Sequence, residues 1–280
     1  VGYPEQRLPN AATRQFGGLQ EFQGWFKRNE LSLKVWAFTS ERKLPPTMLT
    51  ANTLETQSDR AIRSVLRWRK YIPQAYLQTN VAYFKESLTY RHPTAGIFAP
   101  SSFDRIIADG QYVRHSGGEP IFKFQNAGLR FVHDEARSDG LPVATQQNLW
   151  SAFAHGELSL GKEKFSKIGL VLREELYNQQ FSPLLGLIGG SFGNKTRLSA
   201  SLSRNYRYPT LNDRYWVPGG NAALRPEKSL SGEFSILRWQ PLDPQGILEY
   251  SLGCYWNEVD DWILWLPGSS NIWSPENVQH

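Results

Sequence analysis

RAIRSVLRWRK, residues 60–70, places Ile62, Leu66 and Trp68 on one side of an extended chain and Arg63, Arg67 and Arg69 on the other. Successive side chains of a strand point to opposite faces. An arginine turned towards the middle of a bilayer costs about 2–4 kcal/mol, so if one face of this strand meets lipid, the arginine face must meet water. A soluble sheet with one solvated face produces the same alternation, and the pattern alone leaves both readings open. The split recurs in Leu248, Tyr250, Leu252, Cys254 and Trp256 against Glu249, Ser251, Gly253, Tyr255 and Asn257, and in Ile168, Leu170 and Leu172 against Lys167, Gly169 and Arg173.

Working outward, such stretches recur with a regular rhythm. Strands are expected near residues 14–26, 31–41, 60–70, 75–88, 103–114, 121–133, 146–160, 165–175, 184–192, 196–206, 230–239 and 247–257, about twelve in one meander. The stretch 103–114 is the least regular, with Ile106 beside Ile107 and then Asp109 and Gly110. The gaps alternate. Short turns are expected at Lys27–Glu30, Tyr71–Gln74, HSGGEP (115–120), Gly161–Lys164, Gly193–Lys195 and Gln240–Gly246, and long loops at the alternate positions, including Thr89–Ser102 and Asp134–Thr145. Outer-membrane barrels have short turns at one end and long loops at the other. The strand lengths also suit a tilted membrane strand of about ten residues.

Composition narrows the field. The chain has 280 residues, 13% of them aromatic, with 23 Gly and 17 Pro, which suits one large all-β domain with many turns. It contains no apolar run of the roughly 20 residues a membrane helix needs, which excludes a helical membrane protein but not a barrel. The net charge of +5 is spread along the chain, so no nucleic-acid partner is expected. Cys254 stands alone and allows no internal disulfide. The opening VGYPEQRLPNAAT carries neither an initiating Met nor a signal peptide, and the chain is expected to be part of a longer one.

Catalytic patterns are not evident, and no enzyme, metal or cofactor is expected. His92, His115, His133, His155 and His280 have no repeated ligand spacing, and His133, Asp134, Glu135 and Asp139 read as a solvated charge run before a cation site. Glu174 and Glu175 are adjacent in a strand and point apart, which argues against shared acid–base work. Gly186–Gly193 has no phosphate-loop pattern and is expected to ease strand curvature. Trp262, Trp265 and Trp273 fit an aromatic girdle at a membrane interface, or else the stacking surface of a soluble all-β glycan-binding module.

RNYRYPTLNDRYWVPGGNAALRPEKS, residues 204–229, leaves the alternating strand Thr196–Tyr206 for a segment rich in Pro, Gly and Asn, expected to be an ordered loop without regular structure. It resembles the R-x-P-T-L-N-D-x-Y-W and G-N-x-x-L-x-P-E phrases of TonB-dependent outer-membrane receptors, most closely their cobalamin (vitamin B12) receptor-like branch in Bacteroidetes. NEVDDWILWLPGSSNIWSPENVQ, residues 257–279, is similar to the segment that follows one hairpin later. RKLPPTM, from Arg42, with Gln57, Asp59 and Arg60, is a weaker likeness. The resemblance implies an antiparallel transmembrane β-barrel in the Gram-negative outer membrane, of which residues 1–280 form about twelve of about 22 strands, the plug domain and closing strands being absent. It further implies capture of cobalamin or another corrinoid, with a ferric siderophore or other metal complex as the alternative, and uptake energised by the TonB complex through the missing plug. Outer-membrane lipid is an expected partner, and a surface lipoprotein over the loops is left open. Expected at the ligand are Tyr206, Tyr208, Asn212, Asp213, Tyr215, Trp216 and Asn221, then Trp262 and Trp265; Arg63, Arg67 and Arg69 are expected to face the plug from the lumen.

Overall fold

A computed structural model describes residues 10–46, 54–114, 122–142, 145–160, 166–182, 184–193, 195–242, 246–268 and 272–279. Outside them lie the opening stretch to residue 9, Thr47 and Met48 of RKLPPTM, His115 and the rest of HSGGEP, the turn Gly161–Lys164, Pro183, Asn194, residues 269–271 and His280.

The strands are β1 Thr13–Phe26, β2 Asn29–Lys43, β3 Thr56–Ile72, β4 Ala75–His92, β5 Ile97–Arg114, β6 Phe122–Ser138, β7 Thr145–Ser159, β8 Lys167–Tyr177, β9 Gln180–Phe181, β10 Leu185–Phe192, β11 Thr196–Arg207, β12 Glu227–Leu242, β13 Gly246–Asp260, β14 Trp262–Pro267 and β15 Trp273–Val278. Strand order follows sequence order from β1 to β8 and from β10 to β13, with β9 beside β8 and β14 paired separately with β15. Neighbours pair antiparallel, as in Phe16 opposite Thr39 and Phe234 opposite Cys254. This is the all-β antiparallel architecture read from the sequence. Among the described residues β1 and β13 stand at the two ends of the order and do not pair with each other.

Two compact units are present, and each is a piece of this meander. The first holds Val1–Trp68, Asn80–Ala108 and Val132–Gln147; the second holds Arg69–Thr79, Asp109–Phe131 and Asn148–His280. In the first, Arg63 pairs with Glu86 and lies 4.7 Å from the Trp36 ring centre, Arg67 Nε donates to Asn80 Oδ1 at 3.1 Å, and Arg105 and Gln147 both donate to the buried Asp134. Ile62, Leu66 and Trp68, on the other face of β3, are exposed. In the second unit Arg69 donates to Gln78 Oε1 at 2.7 Å. Each arginine of the β3 polar face thus has a polar partner on β4, which is the satisfaction a polar wall requires.

The location of the core is decisive. Among the described residues the buried apolar side chains are Ala61, Ala75, Ala82, Tyr177, Leu211, Leu224 and Ile263, with Pro275 also enclosed. A soluble domain of this length would bury a full apolar core. Here the large apolar side chains, Phe16, Phe22, Ile62, Leu66, Ile188, Leu252 and Trp256 among them, lie exposed on the sheet. A face of that kind is stable when its solvent is lipid.

Four expectations need correction. The long gap at Thr89–Ser102 is mostly strand: β4 continues to His92, β5 begins at Ile97, and only a 3-10 turn at Pro93–Ala95 and Gly96 separates them. Pro93 and Gly96 occupy only the tight turn, and the strands run up to it on both sides. The loop at Asp134–Thr145 shortens similarly, because β6 runs to Ser138. Beyond Asn257, where the last expected strand ends, the chain continues as the end of β13 and the β14–β15 hairpin, and the loop after β11, expected without regular structure, contains a helix, α1 Leu211–Tyr215.

Candidate functional site

Chain leaving β11 at Arg207 returns as β12 at Glu227, and those two residues are register partners whose side chains form a two-pronged ion pair. Glu227 also accepts the Ile263 backbone N–H at 2.9 Å, tying the loop base to β14. Within the loop, Thr210 and Asp213 form a capping box: Asp213 N–H donates to Thr210 Oγ1 at 3.1 Å, and Thr210 N–H donates to Asp213 Oδ2 at 2.9 Å. This satisfies the orphan donors that start α1 and explains a helical turn inside a Pro/Gly-rich stretch. The T-x-x-D spacing is a sequence signature of such a start and was available as a signal.

The loop is then clamped to the β14–β15 hairpin. Trp265 Nε1 donates to Asp213 Oδ1 at 2.9 Å, and Asn221 Nδ2 donates to the Pro275 carbonyl at 3.1 Å. Arg225 N–H donates to Asn277 Oδ1 at 2.8 Å, while Asn277 Nδ2 reaches the carbonyls of Arg225 and Asp261 and the Arg225 guanidinium pairs with the buried Asp261. Gly219 has φ +116° and packs so closely on the hairpin that a Cβ there would lie 2.1 Å from the Trp273 carbonyl oxygen. Leu211 and Leu224 of the loop and Ile263 and Pro275 of the hairpin are buried.

On the β8 side, Tyr208 stacks on Tyr177 with ring centres 4.1 Å apart, and Arg214 reaches the Tyr177 ring and hydroxyl and lies 5.6 Å from the Tyr215 ring centre. Burial pushes the Tyr208 phenol up to about 12, opposed by Ser182 and reinforced by Glu175, Glu174 and Tyr177. For Asp213, burial acts upward, but the hydrogen bonds from Thr210 and Trp265 and the charge of Arg207 outweigh it and hold the carboxyl below its usual range.

The family model for the TonB-dependent receptor-like β-barrel matches residues 125–280, more than half of the chain and all of this site. The chain belongs to the TonB-dependent receptor family. This family consists of non-catalytic transport receptors that work with TonB in the outer membrane of Gram-negative bacteria, and the soluble glycan-binding reading gives way to it. Over 82 residues, 29% of this chain and 13% of the relative, the sequence is 35% identical to the vitamin B12 transporter BtuB of Vibrio vulnificus (strain YJ016). Its fold is similar to the Serratia marcescens hemophore receptor HasR, solved with its hemophore and heme, with a TM-score of 0.78 at 14% identity, over 95% of this chain and 50% of that one. The fold is also similar to the siderophore receptor PirA from Pseudomonas aeruginosa, with a TM-score of 0.65 at 11% identity, over 96% of this chain and 58% of that one. The chain thus spans about half of these receptor structures, and its matched segment spans a small part of the curated transporter.

Within this receptor wall the residues expected at the ligand divide into two groups. Tyr208, Asp213, Asn221 and Trp265 are engaged in the internal contacts described above. Tyr206 accepts a hydrogen bond from Arg204 at 3.2 Å on β11, and Asn212 is exposed on α1, its carbonyl accepting from Trp216 N–H. Tyr215 is half-buried beside Arg214, whereas Trp216 at 38% and Trp262 at 45% exposure present aromatic surface outward, with Val217 exposed beside Trp216. Sequence reasoning missed Tyr177, Arg207, Arg214, Arg225, Glu227, Asp261 and Asn277, which hold this loop in place. Arg207, Arg214, Arg225 and Glu227 lie within the family phrase but were not singled out there, and no local pattern marks Tyr177, Asp261 or Asn277. Elsewhere, Asp134 and Glu135 of the charge run are ion-paired to Arg105 and Arg137.

Proposed function

We propose that this chain is part of the wall of an outer-membrane receptor that captures cobalamin or a related corrinoid for TonB-energised uptake. The observation that carries the ligand class is the 34–35% identity to two curated proteins named vitamin B12 transporter, from Vibrio vulnificus and Photobacterium profundum. The site chemistry is compatible: a corrinoid offers a flat conjugated ring and amide side arms, and Tyr215, Trp216 and Trp262 offer aromatic surface held in place by a clamped loop. Tyr206, Asn212 and the remaining loop candidates supply hydrogen-bonding groups around it. In the same reading, Arg63, Arg67 and Arg69 face a plug domain across a wet lumen, and residues 1–280 are one portion of a barrel of about 22 strands. The Bacteroidetes branch belongs to this proposal as well.

The test is calorimetric titration of the full-length parent receptor, in detergent, with cyanocobalamin. Tight one-to-one binding is expected, weakened roughly thirtyfold when Tyr215 and Trp216 are both replaced by Ala, the scale of an interface hot spot. A folded receptor that gives no binding overturns the corrinoid reading, and heat from a ferric siderophore would replace it. Tight binding that the double variant leaves unchanged overturns the site assignment alone.

A further inference from the structure

The first unit carries a basic recess that contains none of the residues proposed for ligand capture. It has a volume of about 520 Å³ and is lined by Arg14, Arg42, Lys43, Arg60 and Arg91 with Glu41 as its single carboxylate. Arg42 is turned to Asp59 at 2.7 Å. Among the described residues Arg14, Lys43 and Arg60 have no ion-pair partner, and Arg91 lies over the Phe98 ring at 5.1 Å. Next to the recess is an apolar groove of about 420 Å³ lined by Phe16, Ala37, Thr39, Ile62 and Lys85, and Arg60 lines both.

Strand alternation explains the adjacency. Arg14 and Phe16 are two residues apart on β1, opposite Glu41 and Thr39 on β2; Arg60 and Ile62 are two apart on β3; Lys85 and Arg91 share a parity on β4. All lie on the face opposite Arg63, which turns the other way to Glu86 and Trp36. That opposite face continues into the exposed Phe22, Ile62, Leu66 and Val81. The basic end is the end where β2 and β3 are joined by the long connection 44–55, whereas the two-residue turn Lys27–Arg28 lies at the other. In outer-membrane barrels the long connections are extracellular. On that orientation the cations stand at the outer-leaflet end of the apolar face.

We propose that this face binds a phosphorylated, multiply acylated lipid of the outer leaflet, its phosphate in the basic recess and an acyl chain along Phe16 and Ile62. Guanidinium groups pair with phosphate in two-pronged fashion, and the excess of cations over the lone Glu41 gives the recess its charge complement. A protein partner has no use for an apolar groove pointing into the bilayer; a lipid spans both parts with one molecule. The inference rests on the outer-membrane location of the family and not on which ligand the loops capture.

Native mass spectrometry of the full-length receptor in mild detergent tests it, with lipid A carrying its phosphates, the same lipid dephosphorylated, and inorganic phosphate as probes. Phosphorylated lipid A is expected to stay bound at least about tenfold more tightly than the dephosphorylated form, and the Arg14→Gln, Arg60→Gln, Arg91→Gln triple variant to lose that margin. Lys34→Gln, on the opposite face, is expected to keep it. Equal binding of the two lipids would reduce the face to ordinary annular contact and overturn the proposal. Displacement of the lipid by equimolar inorganic phosphate overturns it in favour of a free-anion site. The lipid comparison on the unaltered receptor decides the matter even if the triple variant does not fold.

Discussion

Replacing Asp213 with Ala removes the carboxylate that links α1 to the hairpin. Two groups lose their acceptor: Thr210 N–H, at 2.9 Å, and Trp265 Nε1–H, at 2.9 Å. Loss of the capping interaction costs about 1 kcal/mol, and loss of a hydrogen bond to a buried charged acceptor about 1.5–3 kcal/mol. Together they lower the local opening free energy of the loop by about 3 kcal/mol, which corresponds to roughly a hundredfold faster amide exchange when opening is the route to exchange. The assay is hydrogen exchange of the full-length receptor, read at residues 211–224 and 262–267. Protection elsewhere in the barrel is expected to be unchanged, because the ladder hydrogen bonds do not pass through Asp213. The pH dependence has a definite sign. A carboxyl held below its usual value of 3.8 contributes stability that is complete above that value and is lost as pH falls through the depressed one. The difference between Asp213→Ala and the unaltered protein is therefore constant between about pH 7 and about pH 5 and closes only in stronger acid. Exchange in 211–224 that changes by less than about twofold at neutral pH would refute the view that Asp213 holds this loop.

Two other perturbations separate backbone fit from side-chain burial. Gly219→Ala places a methyl group 2.1 Å from the Trp273 carbonyl at a positive φ, so the loop and hairpin must part; limited proteolysis is expected to cut the variant within 211–224 while the unaltered loop resists, and equal resistance would contradict the close contact. The Tyr208 phenol, raised from 10.0 to about 12, contributes stability that is complete below pH 10 and lost as pH rises towards 12. Ultraviolet titration is expected to show a late-ionising tyrosine that disappears in Tyr208→Phe, and an identical curve for the variant would place the late titration elsewhere.

Much of the wall was legible in the sequence because its information is local. In β3, Ile62, Leu66 and Trp68 against Arg63, Arg67 and Arg69 need only a period of two to be assigned to faces, and β13 repeats the pattern. Strand ends were less legible. Thr89–Ser102 contains Pro93, Gly96 and Pro100, yet most of it is strand, since these breakers are needed only at the tight turn 93–96 and at one ladder position. Inside the loop, the TLND spacing encoded a helix start that the surrounding Pro and Gly residues obscured.

Sequence by itself determined the alternation of faces, the meander of strands and the family phrase from Arg207 to Glu227. Tertiary structure decided which loop residues form the clamp and which stay exposed. Asp213 and Trp265 are 52 positions apart, as are Arg225 and Asn277, and Asn221 and Pro275 are 54 apart. No periodicity spans such distances. An aspartate in a loop has the same local signature whether it meets water, a ligand or an indole N–H, and only the return of the chain through β12, β13 and the hairpin settles which partner occupies its oxygens.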